Sequence, residues 1–365
     1  MSTEILFVIN TLQGGGAERV LSTLATYFHQ HKYRVEIVCL NSAISIYKLP
    51  NDINITYLVN RKSEHLAYRI FYAAQSFFRL LNLLMKKKPD CVVSFMTTAN
   101  LWTGLTCLLT STTYIVSERT TPDHTINQFT GFLKWFSFKI YSKSKAIVLP
   151  AKGIEDCIKK NKAYQQLGNF KIIKNPVNTL GNVSSTPIHS KKFILGVGRL
   201  SYEKGFDQLI AAFANSNLYD TDLLIAGEGA ELEALNLQIE ALNLQNRVKL
   251  IGAKQNLQDY YSQAQLFVLP SRNEGYPNAL IEAMSMGCPC IAMDCEFGPS
   301  EIINHENNGL LIADKNIEEL SKAIVKVLTD PVLKNKLAAN AKLINNTNSL
   351  NYISYQWEKL IFSIN

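Results

Sequence analysis

At 365 residues the chain is too long for one ordinary core and predicts two domains. Its 47% apolar content is that of a globular protein, and seven scattered cysteines exclude a disulfide framework and fit a reducing compartment. The net charge of +7 is uneven: residues 1–180 carry 22 Lys/Arg against 10 Asp/Glu, residues 181–365 carry 15 against 20, so the first half is built to meet something anionic.

The start, MSTEILFVIN, has an acid at position 4 and no basic n-region, so it does not read as a signal peptide. No run reaches the about 18 apolar residues of a membrane span. Both features predict a cytoplasmic chain.

The strand predicted at Ile5–Ile9 leads into TLQGGGAERVLSTLATYFHQ. Gly14, Gly15 and Gly16 permit a tight strand-to-helix turn, and Val20, Leu21, Leu24 and Phe28 share one helical face. Such a turn can bind phosphate. It is a poor dinucleotide fingerprint, because Arg19 replaces the third glycine and the second strand, Val35–Leu40, ends in Asn41 rather than an acid. Further strands are predicted at Ile53–Leu58, Cys91–Met96, Tyr114–Glu118 and Ala146–Pro150. Their alternation with helical stretches predicts a doubly wound parallel sheet. The segment VSERTTPDHT, with Arg119 and His124, lies just past a strand end, where open α/β sheets carry their sites.

Two stretches offer a home for the basic charge. Leu66, Ile70, Ala73, Phe77, Leu80 and Leu84 recur at helical spacing beside Arg69, Arg79 and Lys86–Lys88. Later, GFLKWFSFKIYSKSK sets Phe132, Leu133, Trp135, Phe136 and Phe138 among Lys134, Lys139, Lys143 and Lys145. Either is a core-packing helix or an interfacial helix on an anionic membrane, and the second stretch favours the membrane. Nucleic acid is disfavoured, because no DNA- or RNA-binding signature accompanies the charge.

Residues 178–191 are polar with Gly and Pro and read as a linker. A second sheet begins at Phe193 in FILGVGRLSYEKGFDQLIAAF, where Gly196 and Gly198 permit close approach and Arg199 and Lys204 follow. Strands at Leu223–Ala226, Val248–Ile251, Leu266–Leu269, Cys290–Met293 and Leu310–Ile312 complete it, and Tyr352–Ile364 reads as a final amphipathic helix. Cys288, Cys290 and Cys295 lack a fourth ligand at metal spacing and read as small buried hydrophobes.

The stretch SRNEGYPNALIEAMSMG, Ser271–Gly287, carries most of the chemistry. Pro277 suits a first helical position, and the helix after it is apolar almost all round except for Glu282. A buried carboxylate needs donors, which the neighbouring sequence does not supply. The first amides of the helix, at Asn278, Ala279 and Leu280, suit an anion. A nucleotide, with hydroxyls and phosphates, answers both demands; the plain alternative is a βα unit whose Glu282 pairs with a distant lysine.

Glu274 lies eight residues before Glu282, and this Glu-x7-Glu pattern, with Gly275 and Pro277, resembles the signature of retaining glycosyltransferase family 4. GGGAER resembles that family's N-terminal loop, and GxGR-x4-KG its second signature. The resemblance covers nearly the whole chain. It implies the α/β GT-B fold: two Rossmann-like doubly wound parallel-sheet domains facing a cleft, residues 1–177 for the acceptor and 178–350 for the donor, with residues 351–365 a crossover helix returning to the first.

The resemblance implies that Arg199 and Lys204, with the amides of Asn278–Leu280, hold a donor diphosphate, and that Glu282 takes the ribose hydroxyls. It gives Glu274, Arg199 and Lys204 catalytic roles, Glu274 toward the sugar, and places Gly15, Gly16, Gly198 and Gly275 around the donor. Gly14, Arg119 and His124 are candidates for acceptor or sugar; the family's His after Glu118 is Arg119 in this chain. With no Asp-x-Asp motif, no metal or other cofactor is expected, cations serving as leaving-group stabilisers, and front-face attack needs no enzymic nucleophile. The implied reaction moves a hexose or N-acetylhexosamine, N-acetylgalactosamine first, from a UDP-sugar to a polyprenyl-diphosphate-linked saccharide on the inner membrane face. The alternatives are a UDP-sugar 2-epimerase and a non-catalytic nucleotide-sugar-binding protein.

Overall fold

The computed structural model describes residues 3–61, 65–177, 181 and 183–363. The chain divides into two compact units, Met1–Pro176 with Asn351–Asn365, and Val177–Leu350. Of the predicted linker, residues 178–180 and 182 lie outside the described residues, as does Ile364 of the predicted final helix.

The first unit holds strands β1 (Glu4–Ile9), β2 (Arg34–Asn41), β3 (Asn54–Val59), β4 (Cys91–Phe95), β5 (Tyr114–Ser117), β6 (Ala146–Leu149) and β7 (Phe170–Ile172). They pair in the order β3-β2-β1-β4-β5-β6-β7, and every pairing is parallel. Central strands such as CVVSF and AIVL are buried along their whole length, because helices cover both faces of a parallel sheet. Its helices are α1 (Gly16–Gln30), α2 (Leu66–Lys87), α3 (Thr97–Thr110), α4 (Gly131–Lys143) and α5 (Lys152–Lys160).

The second unit holds β8 (Lys192–Val197), β9 (Thr221–Ala226), β10 (Val248–Leu250), β11 (Leu266–Leu269), β12 (Cys290–Asp294) and β13 (Leu310–Ala313). Its order is β10-β9-β8-β11-β12-β13, again all parallel. This is the Rossmann order, and the direction of winding reverses between β8 and β11. The helices are α6 (Phe206–Asn215), α7 (Leu232–Ala241), α8 (Leu257–Gln263), α9 (Asn278–Ser285), α10 (Pro299–Ile302), α11 (Ile317–Thr329), α12 (Pro331–Ala341) and α13 (Ile344–Asn348).

The last helix, α14 (Leu350–Phe362), packs into the first unit. Trp357 is fully buried and stacks on Phe95 at 5.8 Å, Phe362 stacks on Tyr33 at 5.0 Å, and Lys145 donates to the Ile361 carbonyl at 3.1 Å. All seven cysteines are free and buried; burial alone pushes the Cys39 thiol up to about 12.

Two local expectations are corrected. On α2 the buried ridge is Tyr72, Ser76, Leu80 and Leu84, in steps of four, while Ile70 is 65% exposed. Pro277 sits one place before α9, not within it: its ψ of 106° is extended, and its carbonyl accepts the Ile281 amide at 3.3 Å.

Candidate functional site

The switch point of the second sheet gathers most of the predicted residues. The loop after β8 and the loop after β9 are laced together: the Gly198 amide donates to the Ala226 carbonyl at 3.0 Å, and the Leu200 amide to the Glu228 carbonyl at 2.8 Å. This closeness requires glycine. A Cβ on Gly227, whose φ is +153°, would lie 1.8 Å from the Gly198 carbonyl oxygen. Beside these turns is a hollow of about 180 Å³ lined by Val197, Gly198, Arg199, Gly227, Lys254 and Leu257, among others. Arg199 is exposed at its rim.

The loop after β8 is also tied to the loop after β11. Lys204 Nζ donates to Glu274 Oε1 at 2.6 Å, and Ser271 Oγ donates to the same oxygen at 2.8 Å. Glu274 is buried and Lys204 half-buried, so the pair is partly shielded from water. Oε2 of Glu274 takes no hydrogen bond among the described residues. Arg272 grips Asp207 with two bonds of 2.8 and 2.6 Å and lies over the Tyr202 ring at 4.1 Å. The Glu203 carboxyl is held below its ordinary value by its own backbone amide first and then by the Ser201 hydroxyl, with Lys204 and Arg199 adding their charge.

Glu282 is 2% exposed, as its apolar helix predicts, and the hydroxyl of Tyr261 donates to its Oε2 at 3.2 Å. A lysine pair is present at Glu274, with Lys204. Asn278, Ala279 and Leu280 form the first turn of α9, whose amides have no acceptor within the helix. Gly275 lies on the loop before it, where a Cβ on Gly298 would meet the Gly275 carbonyl at 3.1 Å.

In the first unit, Gly14, Gly15 and Gly16 lie between β1 and α1. Gly14 has φ +118°, with Ile46 2.4 Å from the place of a Cβ. The Tyr47 hydroxyl donates to the Gly15 carbonyl at 2.7 Å and accepts the Gly15 amide at 3.0 Å. That amide is therefore engaged by a phenol within the unit. No sequence signal marked Tyr47 as the holder of this turn, 32 residues away.

Arg119 and His124 part company. His124 is exposed in a 3-10 turn, Pro122–His124. Arg119 is only 9% exposed: Nε donates to Ser117 Oγ at 2.7 Å, Nη1 to Asn175 Oδ1, and the guanidinium lies over Phe95 and Trp357 at 5.2 and 5.7 Å. Burial lowers its pKa to about 9, which leaves it a cation at neutral pH. Its neighbour Glu118 is buried with Thr97, Asn100 and Tyr141 as donors, and burial, opposed by those bonds, raises its pKa.

Two doubly wound parallel sheets, the second with a Lys–Glu pair at its switch point, are the GT-B fold. The profile described as "Glycosyl transferases group 1" matches residues 183–344 and that of "Glycosyltransferase Family 4" residues 14–179, and the chain belongs to this family. An undecaprenol-diphosphate-linked glycan α-1,4-N-acetyl-D-galactosaminyltransferase of Campylobacter jejuni is 27% identical, with 99% of each chain covered. The amylovoran biosynthesis glycosyltransferase AmsD of Erwinia amylovora is 25% identical over 93% of each. Among solved structures, Anabaena Alr3699/HepE in complex with UDP superposes with a TM-score of 0.82 at 20% identity, covering 99% of this chain and 100% of that one.

Proposed function

We propose that this glycosyltransferase is a retaining enzyme that moves a hexose or N-acetylhexosamine, N-acetylgalactosamine first, from a UDP-sugar to a polyprenyl-diphosphate-linked glycan on the cytoplasmic face of the membrane. The carrying observation is the Lys204–Glu274 pair at 2.6 Å, beside exposed Arg199 and the hollow of about 180 Å³. Lys204 and Arg199 stabilise the charge that develops on a departing diphosphate, and the first amides of α9 add to them. Glu274, fixed through one oxygen, offers the other to a sugar hydroxyl. Glu282 takes the ribose hydroxyls and the hollow takes the base.

The donor phosphate takes the acceptor proton in a front-face attack, so no enzymic nucleophile or metal is required. The UDP held by the Anabaena neighbour supports a uridine donor, and the name of the Campylobacter relative supports a lipid-linked acceptor. Among the described residues no helix is long and apolar enough to cross a membrane. Phe132, at 73%, and Trp135, at 56% exposed, stand on α4 with exposed Lys139 and Lys143, which supports contact with an anionic bilayer.

The test is incubation of the pure protein with a panel of nucleotide sugars and a lipid-linked acceptor pool. UDP release with one N-acetylhexosamine donor, and an anomeric proton that keeps the donor's configuration, are expected. No nucleoside diphosphate release with any donor sinks the transferase reading at this site, and an inverted product sinks the retaining one.

A further inference from the structure

Glu282 is the carboxylate assigned to the ribose, yet what aims it is a tyrosine on a different helix. Tyr261 is wholly buried, and its ring meets Phe267 nearly edge-on at 5.8 Å. Packing therefore fixes the ring, and the ring fixes where its hydroxyl meets Glu282 Oε2. An ionised carboxylate has several acceptor positions, and a rigid donor on one oxygen sets the rotation of the group.

The helix that carries Tyr261 reaches the nucleotide site twice. Leu257, one turn earlier on the same face of α8, lines the hollow beside Gly198 and Arg199. A seven-residue helix is marginal by itself, and α8 is pinned through other positions. Asp259 accepts the Ser184 amide at 2.7 Å and the Asn256 side chain at 2.8 Å. Gln263 accepts the Ile188 amide at 3.0 Å and donates to the Thr186 carbonyl at 3.0 Å.

We infer that Tyr261 is a positioning residue for nucleotide recognition: its hydroxyl orients the Glu282 carboxylate to the ribose 2′- and 3′-hydroxyls, and α8 spaces that carboxylate from the base hollow. The inference rests on the ribose role proposed for Glu282. A residue that merely filled the core would affect every nucleotide alike, whereas a residue that aims Glu282 affects only ligands with ribose hydroxyls.

Calorimetric titration of UDP and 2′,3′-dideoxy-UDP into wild type, Tyr261→Phe, Glu282→Gln and the double variant separates these roles. Wild type prefers UDP. Tyr261→Phe narrows that preference by about 5- to 10-fold, the scale of one net hydrogen bond, and leaves affinity for the dideoxy nucleotide within about twofold. In the Glu282→Gln background it narrows nothing further. Equal weakening of both nucleotides, or a preference kept in full, overturns the role of Tyr261 and leaves that of Glu282 standing. Absence of any preference in wild type, or a preference undiminished by Glu282→Gln, overturns the ribose reading itself. A measurement on the unmutated protein covers a variant that fails to fold: with tyrosine labelled at Cζ with carbon-13, the Tyr261 resonance moves on addition of UDP and stays in place with the dideoxy nucleotide. Equal movement with both refutes the inference.

Discussion

Lys204 and Glu274, 70 residues apart in sequence, share a 2.6 Å bond, and Ser271 donates to the same carboxylate oxygen. In the proposed reaction the lysine serves the diphosphate and the glutamate the sugar. Their pairing keeps each charge placed and neutralised until a donor arrives. Lys204→Ala and Glu282→Ala are each expected to lower turnover by about 100-fold or more, the scale of one lost electrostatic stabiliser. Steady-state kinetics with the accepted donor decide this; near wild-type rates in both refute the assignment. Lys204→Ala also leaves the buried Glu274 with Ser271 alone, which costs about 1–2 kcal/mol in denaturant unfolding.

Gly227 tests the lacing of the two strand-end loops. Its φ of +153° is strained for any other residue, and the added methyl of Gly227→Ala falls 1.8 Å from backbone, which cannot swing aside as a side chain does. A loss of about 3 kcal/mol in stability and of nucleotide binding together is expected. Urea melts and UDP titration measure the two.

Arg119→Lys keeps the charge and discards the planar fork. The bond to Ser117, the bond to Asn175 and the stacking between Phe95 and Trp357 all depend on that fork. The variant is expected to lose about 2 kcal/mol and to alter the emission of Trp357. An unchanged melting curve contradicts the inward role of this side chain.

Asp259 supplies a pH dependence. The Ser184 amide, and then the Asn256 side chain, hold its carboxyl below the ordinary aspartate value of 3.8. A depressed folded value means stabilisation that is complete above 3.8 and lost as pH falls through the folded value. Asp259→Ala should speed exchange of the Ser184 amide near neutrality, corrected for intrinsic rate, while wild type and variant converge well below 3.8. Mass-spectrometric hydrogen exchange follows the peptide.

For the membrane, the triple change Lys134/Lys139/Lys143→Glu should weaken co-sedimentation with phosphatidylserine vesicles by about 100-fold or more, at about 1 kcal/mol per lysine removed with repulsion from each glutamate added. Trp135→Ser should weaken it further. Binding unchanged in both makes α4 an ordinary packing helix.

The sheets were legible because parallel strands, buried on both faces, print as short apolar runs; Leu266–Leu269 was read to the residue. Glu282 stands out by chemistry, as a charge in an apolar helix, whereas Arg199, Lys204 and Glu274 stand out through the motifs that resemble the family's. Their partners do not. Tyr261 lies 21 residues before Glu282 in a helix of ordinary composition, and nothing in a single sequence ties a phenol to a carboxylate across that gap. Arg119 draws notice from its place just past a strand end and from the family position it fills; its contacts with Asn175 and Trp357 join distant parts of the chain and only the fold supplies them. On α2, apolar residues such as Ile70 and Phe71 occur on more than one side, so periodicity did not select the buried face.

The alternation along α8 bears on protein engineering. Leu257 and Tyr261 face the proposed nucleotide site, while Asp259 and Gln263 fasten Ser184, Thr186 and Ile188. A chimaera that borrows the second unit should therefore be joined upstream of Ser184. A junction set a few residues later, at the first residue of β8, keeps every predicted donor residue of the second unit and still discards the moorings of the helix that aims one of them. Single-residue insertions are expected to be tolerated in the turn before Leu257 and not within α8, where a rotation of about 100° would turn the residues beyond the insertion away from their partners.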